Sequence, residues 1–168
     1  MRNRLLFAAF CFFLPLFCSA QDATISISAT ARGALMSGFG IIVHIQNMET
    51  HELYHSKSLS AMSPNAVVEH LPAGRYEVCA IEVPFGDRWF QNISKELRDF
   101  FGIIDVEPNH IYYLGTYKTT YKGISRVVFT HIGNEVSKGL RKWFEEQGRS
   151  VDDIIVLEPV QESFLLQK

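Results

Sequence analysis

The chain has 168 residues, with 16 Lys and Arg against 18 Asp and Glu and a formal net charge of −2. This length suits one ordinary domain that can bury a hydrophobic core without covalent staples. Charges of both signs are interspersed and no basic stripe is present, so a nucleic-acid partner is not expected. No apolar segment beyond residue 20 is long enough to span a membrane.

The first twenty residues have the order of regions found in a secretory signal peptide. Arg2 and Arg4 precede an apolar run over residues 5–17, and small residues ending at Ala20 precede the expected cleavage point. The run is shorter than the roughly 20 apolar residues of a membrane-spanning helix, and Pro15 interrupts it. The sequence therefore predicts a signal peptide over residues 1–20 and a periplasmic or secreted protein.

Cleavage would leave a single domain over residues 21–168 and, because two arginines leave, change its net charge from −2 to −4. Cys79 would be the one remaining cysteine, so an intramolecular disulfide is excluded and a small buried hydrophobe is favoured over a reactive thiol. A lipid anchor is disfavoured, because bulky Phe17 precedes Cys18 where lipidation favours a small residue.

Alternation of apolar and polar residues, the pattern of half-buried strands, dominates the rest of the chain. Ile25 and Ile27 alternate with Ser26 and Ser28, which predicts a first strand with one buried face. About seven strands at turn spacings of about 8 to 12 residues predict an antiparallel β-sandwich. The predicted strands cover residues 25–28, 39–46, 66–71, 75–83, 102–106, 111–118 and 124–132, and residues 53–59 are a weaker candidate strand.

The sequence also predicts how two of these strands are connected and one segment that is not a strand. The strands over 102–106 and 111–118 are predicted to form a hairpin, because residues 107–110 have a length and composition that suit a hairpin loop. The segment 88–100 has aromatic and aliphatic residues at spacings that suit a short helical or irregular segment laid over the sheet.

The period changes near the end of the chain, where a C-terminal amphipathic helix is predicted over residues 134–147. Asn134 is the expected N-cap. The apolar residues fall on one helical face: Val136, Leu140, Trp143 and Phe144.

Two runs carry a resemblance to a known family. Leu71–Tyr76 reads Leu-Pro-Ala-Gly-Arg-Tyr, in which Pro and Gly make a tight corner and Tyr76 starts the next strand facing inward. Ile104–Gly115 is a strand and turn that end in Tyr-Leu-Gly. Both runs resemble hairpins of the transthyretin-like (prealbumin-like, carboxypeptidase regulatory-like) β-sandwich domains of small exported bacterial proteins. The resemblance implies a sandwich fold and carries no catalytic residue.

Histidines are the first candidate ligands. His51 and His55 have the i, i+4 spacing that places two metal ligands on one helical face. The pattern there predicts a turn and a strand, in which these positions stand about 13 Å apart, and no third ligand has a matching spacing. His44 and His70 are expected at solvent-facing strand positions. Ordinary surface histidines are therefore favoured, and the sequence assigns no metal ligand and no cofactor.

Catalytic groups and aromatic surfaces are the remaining candidates. Ser37 lacks the first glycine of a nucleophile elbow, and Asp152-Asp153 suits a solvated turn, so no catalytic residue is assigned. Aromatic residues are dense over 85–121, where either an exposed binding patch or coverage by residues 84–100 and the C-terminal helix is expected, with coverage favoured. They are Trp89, Phe90, Phe100, Phe101, Tyr112, Tyr113, Tyr117 and Tyr121.

These patterns favour an exported, non-enzymatic binding or interaction module of the cell envelope, with a protein, peptide or glycan partner. The alternative is a small exported hydrolase or metal-binding protein whose His and Asp or Glu residues are brought together only by folding. Convergence of a carboxylate with at least two of His44, His51, His55 and His70 in one pocket would favour an enzyme, and their scatter over the surface would count against it.

Overall fold

A computed structural model describes residues 22–32, 41–58, 63–85, 88–93, 95–122 and 126–167. The fold is mainly β, with two sheets packed in a sandwich-like arrangement. The predicted signal peptide over 1–20 and the segment around Ser37 lie outside the described residues, as do the side chains of Trp89 and Phe90.

Twelve strands and two helices occur in the described residues, against the seven or so strands that were expected. The strands are β1 (Ala23–Arg32), β2 (Ile42–Asn47), β3 (Leu53–His55), β4 (Lys57–Ser58), β5 (Asn65–Leu71), β6 (Gly74–Phe85), β7 (Arg88–Ile93), β8 (Ile103–Val106), β9 (Ile111–Tyr121), β10 (Arg126–Gly133), β11 (Ile154–Val156) and β12 (Ser163–Gln167). The helices are α1 (Lys95–Phe101) and α2 (Lys138–Glu146), and a 3-10 turn covers Val151–Asp153.

The two sheets differ in size. Sheet I has the order β12-β10-β9-β1-β5-β4, with β11 beside the start of β9. Sheet II has the order β3-β2-β6-β7, with β8 beside the start of β6. The sandwich is not wholly antiparallel, because β1 and β11 both run parallel to β9.

The main core lies between the sheets and is built from the inward residues that the two-residue period predicts. Sheet I contributes Ile25, Ile27 and Phe129, and sheet II contributes Ile45 and Val78, all at most 2% exposed. Burial of each such aliphatic or aromatic side chain stabilises the folded state by roughly 1.5–3 kcal/mol relative to leaving that side chain exposed. The core therefore stabilises the fold without a disulfide among the described residues.

A second core lies on the outer face of sheet I, beneath α2. Val67, Ile111 and Tyr113 of the sheet pack there with Leu140 and Phe144 of the helix. Strands β1, β5 and β9 are consequently buried on both faces over much of their length.

This second layer makes the expectation of a single buried face for β1 wrong. Ser26 and Ser28 are 0% and 2% exposed because α2 covers their side of the sheet. Their hydroxyls stay hydrogen-bonded, Ser26 to the Tyr112 carbonyl at 3.2 Å and Ser28 to Asn65 Oδ1 at 2.6 Å. Buried polar groups with such partners avoid the cost of an unsatisfied donor.

Helix α2 starts later than expected and is not the last element. Ser137 is its cap, with Oγ accepting from the Leu140 N–H at 3.2 Å. The expected cap, Asn134, instead contacts His131 and Glu158 with its side chain. The chain then continues through β11 to β12, which pairs with β10.

The predicted hairpin over 102–118 is wrong, because its two strands lie in different sheets. Strand β8 pairs with β6 in sheet II, whereas β9 pairs with β1 and β10 in sheet I. The loop between them crosses from one sheet to the other. It is held by a 2.8 Å hydrogen bond from the Glu107 N–H to the Tyr112 hydroxyl and by a second hydrogen bond from the Thr24 N–H to the His110 carbonyl. A turn composition shows that the chain reverses but not which strand receives it.

The segment 88–100 is part strand and part helix. Strand β7 pairs with β6, and α1 follows it and directs Leu97, Phe100 and Phe101 into the main core. The expected covering helix is thus limited to residues 95–101.

The corner at Leu71–Tyr76 has the expected inward residues. Leu71 and Tyr76 are both 0% exposed, and the Tyr76 hydroxyl donates to the Pro72 carbonyl at 2.9 Å. This hydrogen bond ties the start of β6 back to the end of β5.

Gly115 gives a stability test of how β9 packs. Its φ of +98° lies in the left-handed region, and a Cβ there would stand 2.8 Å from His131 Nε2. We expect Gly115→Ala to lower the free energy of unfolding by about 2–4 kcal/mol, through backbone strain plus the clash. Urea denaturation followed by circular dichroism measures this change.

Gly148→Ala is the matched control, since Gly148 also has a positive φ, of +70°, but has open space where its Cβ would lie. It should cost only about 1 kcal/mol, the backbone contribution alone. Equal losses in the two variants would show that contact with His131 does not constrain β9.

Candidate functional site

Two histidines that are eleven residues apart meet on the outer face of sheet II. Strands β2 and β3 pair antiparallel with His44 directly opposite His55. Side chains at directly opposed positions stand on the same face, close enough to touch. The two Nδ1 atoms are 2.7 Å apart, and the rings meet edge to face with their centroids 4.6 Å apart.

A carboxylate lies on the other side of His44. Glu82 on β6 pairs with Ile42, two residues from His44 on β2, and its Oε1 lies 2.8 Å from His44 Nε2. The two atoms are close, but they do not form a hydrogen bond, and His44 Nε2 has no other partner among the described residues. We call Glu82, His44 and His55 the histidine cluster.

The two histidines of the cluster differ in their exposure to solvent. The His44 side chain is 13% exposed and its Nε2 is sealed from solvent, whereas His55 is exposed. Because His44 is largely covered and has a neighbour at each ring nitrogen, it is not the ordinary surface histidine that the sequence favoured.

One choice of tautomers fits both contacts of His44. A carboxylate favours an N–H at His44 Nε2, which in the neutral ring leaves a lone pair on Nδ1. The 2.7 Å contact then needs His55 to donate its Nδ1–H to that lone pair. The cluster is therefore a line of carboxylate, imidazole and imidazole, with one His44 nitrogen set as a donor and the other as an acceptor.

Cys79 contacts the backbone of His44 and is not one of the side chains of the histidine cluster. Its thiol donates to the backbone carbonyl of His44 at 3.4 Å, at a β-bulge between β2 and β6. The thiol is partly covered, and this burial raises its pKa. A raised pKa lowers the thiolate fraction, which supports the interpretation of Cys79 as a packing residue.

The other candidate histidines lie elsewhere. His51 is an exposed residue between β2 and β3 with a φ of 60°, and it does not join His55 in the histidine cluster. His70 contacts Asp22 at 2.9 Å and is 77% exposed, as expected for a solvent-facing position. The two remaining histidines contact the Pro108 carbonyl and Asn134, respectively.

The histidine cluster provides two ligand nitrogens and not a complete set. Within the described ranges, no three His, Cys, Asp or Glu side chains gather around a common centre. His44 Nδ1 and His55 Nδ1 point towards one another, while the Glu82 carboxylate lies on the opposite edge of the His44 ring. The arrangement is a pair of hydrogen-bonded imidazoles with a carboxylate beside one of them.

The dense aromatic residues belong largely to the interior. Phe100, Phe101, Tyr112 and Tyr117 lie in the main core, and Tyr113 lies beneath α2. Coverage, the favoured alternative, therefore holds for these five side chains. They do not form the exposed aromatic patch that a glycan or peptide would need.

A polar cavity of about 340 Å³ is lined in part by Asp22, Arg149 and Asp153. Arg149 donates to Thr24 Oγ1 at 3.0 Å and to the Asn109 carbonyl at 2.9 Å. Burial lowers the pKa of its guanidinium. These bonds fasten the end of α2 to β1 and to the loop before β9, which gives Arg149 a structural role.

Comparison with protein-family models and with curated proteins finds no match to this chain. None of the described helices combines the length and apolar character that a membrane crossing requires. The histidine cluster is therefore interpreted from its own geometry.

The covered thiol gives a direct chemical test. We expect iodoacetamide at pH 8 to alkylate Cys79 at least about tenfold more slowly in the folded protein than in urea, because burial raises its pKa and limits access. Peptide mass spectrometry reads the rate at this residue alone. Equal rates with and without urea would mean that the thiol is open and reactive.

Proposed function

We propose that this protein is an exported, non-enzymatic binding protein whose ligand is a divalent transition-metal ion held by His44 and His55. The observation that carries the proposal is the 2.7 Å approach of the two Nδ1 atoms, with the Glu82 carboxylate behind one of them. Neutral imidazole is a common ligand of zinc, copper and nickel.

The nitrogen separation favours one coordination geometry. Metal–imidazole bonds are about 2.0–2.1 Å long, so two nitrogens at a right angle stand about 2.9 Å apart and at a tetrahedral angle about 3.3 Å apart. The observed 2.7 Å lies closer to the right-angled value. Because the two nitrogens face one another in a hydrogen bond, binding requires that the His55 proton move from Nδ1 to Nε2 and that both rings turn towards the ion. Square-planar or tetragonal Cu²⁺ and Ni²⁺ therefore fit with less movement than tetrahedral Zn²⁺, and Cu²⁺ binds most strongly in this series.

Glu82 has the place of an outer-shell partner. Metal-bound histidines usually present their second nitrogen to a carboxylate or carbonyl, which fixes the tautomer and makes the ligand more basic. The Glu82 oxygen lies 2.8 Å from His44 Nε2, which is close enough for that arrangement once the carboxylate turns to accept the Nε2–H. It favours the lone pair on His44 Nδ1, the atom that faces His55.

Two features of the scaffold support binding over hydrolysis. Both ligands stand on paired strands, which hold a site more firmly than loops do. A hydrolase would set His44 Nδ1 against a nucleophile, but His55 occupies that place, and the nearby Cys79 thiol has a raised pKa.

Export and family membership are parts of the same proposal. Export is supported by the basic, apolar and small-residue order of residues 1–20. Membership of the transthyretin-like sandwiches is supported by the buried Tyr76, whose hydroxyl reaches Pro72, in a fold of two packed sheets.

Metal binding is tested by titrating the purified protein with Cu²⁺ and recording calorimetry and electron paramagnetic resonance. We expect nitrogen-coordinated copper, lost in His44→Ala and in His55→Ala, each of which removes half of the chelate. Glu82→Gln keeps both ligands but weakens the outer carboxylate, so affinity should fall about 10- to 100-fold.

His110→Ala is the matched control, because its ring contacts the Pro108 carbonyl and the Tyr112 ring and takes no part in the histidine cluster. It should bind copper like the unaltered protein. Undiminished binding by the His44→Ala, His55→Ala double variant would refute the assignment of the site.

Export is tested by expressing the full chain in a bacterium and measuring the mass of the recovered protein. We expect a chain that starts at Gln21, because signal peptidases need small residues before the cut. Ala20→Lys should block cleavage and leave residues 1–20 attached. Recovery of the unaltered chain with residues 1–20 still attached would contradict the prediction.

A further inference from the structure

We infer that the metal site is completed by a second copy of this chain, so that one ion joins the His44 and His55 pairs of two molecules. This inference rests on the proposed function. It is argued from the position of His44 and His55 side by side on the outer surface of sheet II, with the partly buried Glu82 carboxylate beside His44.

Ligand number is the first argument. A tetragonal Cu²⁺ or Ni²⁺ ion takes four ligands in its plane. The chain offers two nitrogens, and because Glu82 lies on the opposite edge of the His44 ring, no third side chain in the described residues faces the two Nδ1 atoms. A twofold axis through the ion supplies the other two nitrogens from an identical surface, as in the isologous dimers that are commonest among oligomers.

Charge balance is the second argument. His44 and His55 are neutral ligands when they bind, so an ion with two positive charges stays uncompensated except by outer carboxylates. Each chain brings one such group, Glu82, which is 23% exposed and lies against His44. Two copies around one ion bring two Glu82 carboxylates and cancel its charge, whereas one copy leaves a net positive charge.

Access is the third argument. His55 is exposed, and its strand β3 is the outermost strand of sheet II. Leu53 lies on the same face two residues earlier and is 47% exposed. A second copy that approaches this face meets the open side of the cluster and covers an apolar side chain that a monomer leaves in water.

The test titrates Cu²⁺ into the full-length protein and follows molar mass by light scattering during size-exclusion chromatography. We expect complete conversion from monomer to dimer at half an ion per chain, a copper spectrum with four equivalent nitrogens, and reversal by EDTA. The His44→Ala, His55→Ala double variant should stay monomeric, and His110→Ala should dimerise normally.

Two further experiments distinguish a failure of this inference from a failure of the proposed function. Leu53→Glu leaves both ligands in place and adds charge to the interface, so it should bind one ion per chain and dimerise at least about tenfold more weakly. Copper iminodiacetate, whose chelator fills the remaining positions of the ion, should bind the histidine pair without forming dimers.

The outcomes are distinct. One ion per chain in a molecule that stays monomeric overturns the shared site but leaves metal binding by the pair intact. No binding of Cu²⁺ or its iminodiacetate complex overturns both proposals. Copper-dependent dimers that persist in the double variant overturn the shared site, because another surface then holds the two copies together.

Discussion

Burial of β1 on both faces is the constraint on which the rest of the fold depends. Its isoleucines face sheet II, and Ser26 and Ser28 lie beneath α2. Each serine therefore needs an internal partner, and Ser28 finds it in Asn65, which also accepts from the α2 cap Ser137 at 3.0 Å. Strand, neighbouring strand and helix are thus joined through one amide, which fixes sheet I as the middle layer of three.

A fixed middle layer determines which face of sheet II is free for function. Val43 and Ile45 must face inward to fill the space above sheet I, and they are 1% and 0% exposed. The alternation of strand side chains then turns His44 outward, beside Glu82 and His55. The candidate site is a consequence of core packing, although none of its three side chains belongs to the core.

The sequence predicts where the strands lie along the chain better than which strands pair with one another. The two-residue period identifies the inward residues of β2, since it reports each side chain's local environment. It could not show that residues 107–110 cross between sheets, because turn chemistry is alike in both cases. It also directed attention to His51 and His55, whose spacing is visible along the chain. The true pair, His44 and His55, requires the register of β2 against β3, which is a property of the folded sheet.

That register depends on the turn between the two strands. The buried Asn47 accepts the N–H groups of Glu49 and Thr50 with its side chain, at 2.8 and 2.9 Å, and its backbone N–H donates to the Glu52 carbonyl. Asparagine suits this place because its side chain can copy a backbone turn. A slip of β3 by one residue would turn His55 to the opposite face and separate it from His44. The metal site proposed for this protein therefore depends on Asn47, a residue that touches neither ligand and carries no chemistry of its own.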